Sequence, residues 1–148
     1  MVNGGSAIVT GALMLTTVLA GLGVKSQPAY TDNDLFVLSH IISAESGNCS
    51  EEMMIAVGSV VLNRVNDERF PDTIEDVVFQ KDPVQYSPTV NGSYWNEPTE
   101  GAVEVAKMLL EEGSQIDASV VWQAEFPQGN GEYDKMPIPW GGYMYFCF

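Results

Sequence analysis

The chain has 148 residues and a mass of 16.1 kDa, one domain's worth, with room for a core but not for two full domains. Hydrophobic residues make up 45% and mean hydropathy is +0.01, which excludes a disordered chain and a multi-span membrane protein. Six Lys and Arg stand against 20 Asp and Glu, a formal charge of −14. The basic footprint that phosphate contacts require is missing, which argues against nucleic acid as a partner. One His and two Cys cannot assemble a four-ligand zinc site, and no cofactor is expected.

The first predicted element is an apolar helix. From Ser6 to Val24 run nineteen residues without a charge, followed by Lys25 and a short linker, Ser26-Gln27-Pro28. About twenty apolar residues can cross a bilayer, so residues 1–27 read as a membrane anchor or a secretory signal with its linker. The glycines at 4, 5, 11, 21 and 23 count against a buried core helix. Residues 28–148 form the folded domain, and all 20 acids fall within it.

Thr31 with Asp34 fits a capping box opening a helix that stops at Gly47. Ser50, Glu51 and Glu52 start a second helix, "MMIAVGSVVLNRV", apolar on nearly every face until Asn63 and therefore central and buried. Asp72-Thr73 opens a third helix, and residues 81–97, with Pro83, Pro88, Asn91 and Gly92, read as an irregular loop. Thr99 caps a helix running to Glu112 and closed by Gly113. "ASVVWQA" and "GGYMYFCF" then read as short strands separated by a polar Gly- and Pro-containing segment from Pro127 to Pro139. The fold class is α+β, mainly helical, with a small C-terminal β element.

Within the first helix, Glu45 lies about 20° from Leu38 and about 40° from Ile41 around the axis, so it points along the apolar face. A desolvated carboxyl there has a raised pKa, the condition a general acid needs. The alternative is a last-turn Glu that reaches solvent or pairs with a basic residue such as Arg64. His40 lies 140° away and reads as a surface or packing residue.

Four segments in order, "SAESGN" at 43–48, "AVGSVVLNRV" at 56–65, "FPDTIEDVVFQ" at 70–80 and "QYSPTVNG" at 85–92, resemble the cell wall hydrolase family, which includes the catalytic domain of spore cortex-lytic enzymes. "GGYMYF" at 141–146 continues the match more loosely. The resemblance implies a lysozyme-like domain that cleaves the MurNAc-GlcNAc bond of cell wall or spore cortex peptidoglycan. It places Glu45 on the catalytic glutamate, Asn63 and Arg64 on the "LNRV" segment, and Gln85, Tyr86 and Ser87 on a substrate-groove loop. Arg64 can equally serve the fold at the negative end of its helix. Two departures stand out: Ser46-Gly47-Asn48-Cys49 replaces an Arg-Gly-Glu stretch, and Val121-Trp122-Gln123-Ala124 replaces an aromatic Tyr-Asn-Pro segment.

With one carboxyl the implied reaction is lytic transglycosylation, Glu45 serving as acid and then base. A hydrolytic muramidase or glucosaminidase would need a second acid, for which Glu51 and Glu52 are nearest in sequence. A non-catalytic, membrane-tethered wall-binding module is the third reading. Tyr86, Tyr94 and Trp95 are candidates for stacking on sugar rings or for capping the core. Cys49 and Cys147 form a candidate disulfide if the chain acts outside the cytoplasm. The expected partner is the peptidoglycan glycan strand, the membrane as well if residues 1–27 are retained, and the expected state is a monomer that is exported or membrane-anchored.

Overall fold

A computed structural model describes residues 29–148. The apolar segment within residues 1–27, and with it the choice between anchor and signal, lies outside the described residues. No helix among the described residues is long and apolar enough to cross a membrane.

Helix α1 spans Asp32–Ser46, and its capping box is formed: the Thr31 hydroxyl accepts from the Asp34 N–H while the Asp34 carboxylate accepts from the Thr31 N–H. Gly47 ends it, its N–H donating to Ser43 O. Helix α2, Glu51–Val65, is capped by Ser50, whose oxygen accepts from the Met53 N–H at 3.2 Å. Thr73 caps the short α3, Ile74–Val78, and Thr99 caps α5, Glu100–Glu112. In each case a hydroxyl before an apolar run satisfies an N–H that the helix itself leaves unpaired.

Residues 81–97 are more ordered than the irregular loop expected. Lys81 and Val84 bridge, Pro88–Asn91 form a one-turn helix (α4) begun by proline, and Ser93–Trp95 form a 3-10 turn after Gly92, whose φ is +91°. The C-terminal part carries a third strand that the sequence pattern does not announce. The order is β1 (Trp122–Ala124), β3 (Tyr143–Cys147), β2 (Glu132–Pro137), antiparallel throughout, with β3 central. Strand β2 lies inside the segment expected to be a mere connection. Its residues are nearly all exposed, so no alternation of apolar and polar residues marks it, and pairing with β3 defines it.

Helix α2 organises the core. One cluster packs α1, α3 and α5 against Met54 and Val61, and a second packs the sheet residues Met144 and Phe146 against Met53, Ala56, Val57 and Val60. A Cβ on Gly58 would stand 2.4 Å from Leu109 Cδ1 and 2.7 Å from Ile42 Cδ1, so a bare backbone is what lets the three helices approach. The end of α2 holds the segment before β1: Asn63 Nδ2 donates to the carbonyls of Asp117 at 2.8 Å and Val120 at 2.9 Å. Replacing Asn63 with Ala should leave the buried Val120 carbonyl unpaired, while Asp117 O keeps its bond from the Val120 N–H, and lower stability by about 1–2 kcal/mol, measured by urea unfolding. An unchanged midpoint would show that the tie is dispensable.

Candidate active site

The last turn of α1 carries Glu45, half-buried, with its backbone fixed between the buried Ile41 and Ile42 and the Gly47 stop. Three elements distant in sequence converge on its carboxyl. Helix α2 brings Arg64, the segment before α4 brings Tyr86, and β1 brings Gln123. Burial is the dominant influence and raises the Glu45 pKa to about 7, while the Arg64 guanidinium and the Gln123 side chain pull in the other direction.

Arg64 is only 2% exposed, unusual for a charged residue, and its surroundings explain how it is held. Its Nε donates to Val121 O at 2.7 Å. Its guanidinium carbon lies 5.1 Å from the centroid of the Phe70 ring, 5.2 Å from that of Tyr86 and 5.7 Å from that of Trp122. Aromatic faces and one carbonyl therefore replace the water it has lost. Among the described residues the ion pairs within 4.0 Å are Arg69–Asp67 and Lys135–Glu132, so Arg64 acts on Glu45 without closing a salt bridge. Its Nη1, the Tyr86 hydroxyl and Gln123 Oε1 are buried and have no hydrogen-bond partner in the protein. Burial pushes the Tyr86 phenol up to about 12, and the Glu45 charge adds to that.

The other residues singled out in the sequence take different places. Asn63 is buried and spends its amide on the Asp117 and Val120 carbonyls, so it braces the fold and is not a groove residue. Tyr86, 1% exposed, cannot offer its ring to a sugar; only its hydroxyl belongs to the site. Tyr94 is likewise buried, packed against His40 and Phe79, and is a core ring. Gln85 and Ser87 flank Tyr86 nearer the surface. Trp95, 64% exposed with its ring edge-on to Tyr94, remains available for stacking. His40 is a packing residue: Nδ1 carries the hydrogen it donates to Tyr94 O at 2.8 Å.

Cys49 and Cys147, the candidate disulfide, stand as free thiols in this structure. Cys49 is held in the turn between α1 and α2 by its N–H bond to Ser46 O, whereas Cys147 is buried at the end of β3 opposite Trp122. The candidate second acids Glu51 and Glu52 are exposed on the first turn of α2.

Sequence reasoning missed Phe70, Trp122 and Gln123. The last turn of α1 and residues 93–99 border a depression of about 210 Å³ lined by Ser43, Ala44, Gly47, Asn48, Ser93, Asn96 and Thr99, a lining that does not include Glu45. The Thr99 N–H donates to Ser43 Oγ across it at 3.0 Å.

The raised Glu45 pKa has a consequence for stability. Folding favours the neutral carboxyl, so this contribution is complete below the unfolded-state pKa near 4.5 and is lost as pH rises through about 7. Glu45→Gln should therefore match the parent at pH 4 and exceed it at pH 8 by up to about 3 kcal/mol. Denaturant unfolding at the two pH values checks this; equal stability at pH 8 would contradict the burial of the charge.

A family model described as Cell Wall Hydrolase matches residues 48–126, a stretch of 79 of the 148 residues that holds Arg64, Tyr86 and Gln123 and begins just after Glu45. The spore cortex-lytic enzyme of Oceanobacillus iheyensis is 31% identical over 110 residues, which is 74% of this chain and 35% of that protein. That of Bacillus subtilis is 28% identical over 75 residues, 51% of this chain and 24% of that protein. The chain thus matches about a third or less of the length of these relatives. Among solved structures, the catalytic domain of the germination-specific lytic transglycosylase SleB from Bacillus anthracis superposes with a TM-score of 0.64 at 20% identity, covering 83% of this chain and all of that one. The catalytic domain of Bacillus cereus SleB gives 0.63 at 21% identity, covering 86% and 100%. The mainly helical fold with its small sheet is the fold of those domains, and with more than half of its length matched by the family model, the chain belongs to the cell wall hydrolase family.

Proposed function

We propose that this domain cleaves the MurNAc-GlcNAc glycosidic bond of cell wall or spore cortex peptidoglycan by lytic transglycosylation, with Glu45 as its only acid and base. The observation that carries this reading is the place of Glu45, half-buried at the end of α1 with Arg64, Tyr86 and Gln123 bearing on it; burial raises its pKa to about 7, and among the described residues no second carboxylate contributes to that shift. Two-carboxylate glycosidases hold their acids roughly 5–10 Å apart, close enough for each to raise the other. The relatives named as spore cortex-lytic enzymes and as lytic transglycosylase domains point the same way.

In the first step neutral Glu45 gives its proton to the oxygen leaving the muramyl C1, and the glycosidic bond breaks through an oxocarbenium-like state. The Glu45 carboxylate then takes the proton of the same sugar's 6-hydroxyl as that oxygen bonds to C1. The glutamate is returned to its neutral form, the new end is a 1,6-anhydro sugar, and no water is consumed. Trp95, exposed at the surface, offers an apolar face to a sugar ring of the strand. A glycan substrate of this kind places the work outside the cytoplasm, which suits residues 1–27 as a signal or an anchor.

The test is release of soluble fragments from insoluble peptidoglycan and from spore cortex. Glu45→Gln should fold normally and lose at least about 10²-fold in rate, the scale of general acid catalysis. Because the neutral carboxyl is the acid, the rate for the parent should fall as pH rises through about 7. Undiminished release by Glu45→Gln would overturn the assignment.

A further inference from the structure

We propose that Arg64 is the positioning residue of this site, a fixed counter-charge held short of contact so that Glu45 can cycle between its neutral and ionised forms. The inference rests on the reading of Glu45 as acid and base and deepens it.

The argument starts from what an arginine normally does when buried near a carboxyl. Its planar fork closes a bidentate ion pair, which holds the carboxylate ionised and useless as an acid. Burial without any cation has the opposite fault, since the acid could give up its proton only at great cost. Here the side chain is fixed so that neither extreme applies. The Nε–Val121 bond and the rings of Phe70, Tyr86 and Trp122 settle the guanidinium where it stands, and no ion pair with Glu45 forms. Its Nη1 is left buried and unpartnered, as are the Tyr86 hydroxyl and Gln123 Oε1. Polar atoms left open in this way cost stability, and all three belong to residues coupled to the Glu45 charge.

The groups that bear on Glu45 come from three separate parts of the chain. Helix α2 supplies the positive charge of Arg64, the segment before α4 supplies the neutral phenol of Tyr86, and β1 supplies the uncharged amide of Gln123. Arg64 is thus the one permanent charge in the set, and Val121, two residues before Gln123, is the tie that couples its position to β1.

The experiment is a carbon-13 NMR titration of the Glu45 carboxyl in the full chain, paired with the pH profile of fragment release. In Arg64→Met the midpoint should rise by about one pH unit or more, and the alkaline limb of activity should rise with it. Arg64→Lys, which keeps the charge, should restore most of the difference. A folded Arg64→Met protein whose midpoint stays at the parent's value would overturn the proposal. A second measurement needs no change at Arg64: the nitrogen-15 resonance of its Nε should shift through the Glu45 titration and lose that shift in Glu45→Gln. A resonance indifferent to Glu45 would overturn the proposal as well. Both titrations read the charges directly, so a parent protein that releases no glycan would defeat the glycosidase reading while leaving the Arg64 result to stand or fall separately.

Discussion

A cation and an acid, both sunk into the same domain and kept from touching, are the constraint around which this structure is built. Taking a guanidinium out of water is expensive unless something replaces the hydration, and here three aromatic rings and the Val121 carbonyl do so. That arrangement demands that α2 end where it does, that Phe70 follow it closely, and that the chain return from α5 to place Val121 and Trp122 alongside. Asn63, one residue before Arg64, secures the same return by binding the carbonyls of Asp117 and Val120. The strand that follows then carries Gln123 up to Glu45.

The same geometry suits the chemistry proposed for it. A carboxyl near neutrality in its pKa can give a proton and take one back within a single turnover, which a salt-bridged or a fully solvated glutamate cannot do equally well. The open polar atoms around it are a local sacrifice of stability that the two apolar clusters on α2 offset elsewhere.

Much of the helical part could be read from the chain because it is locally encoded. Thr31, Ser50, Thr73 and Thr99 each stand directly before the run they cap, and the 3.6-residue period puts Glu45 on the apolar side of α1 without knowledge of any other element. What could not be read depends on contacts between distant residues. Gln123 meets an acid 78 positions earlier, and nothing in its own neighbourhood signals it. Strand β2 exists through its partner, because an exposed edge strand carries little alternation. Tyr86 and Tyr94 lie among turn-forming residues, where burial and exposure of a ring look alike in sequence. Two cysteines state that a bridge is available but not that it forms, and here both thiols are free.

The central claim, a single carboxyl that needs no water and no partner acid, is tested most directly by digesting peptidoglycan in water labelled with oxygen-18 and weighing the new sugar ends. The account predicts 1,6-anhydro ends carrying no label. Reducing ends with one labelled oxygen each would contradict it, since they require an activated water and a second base beside Glu45.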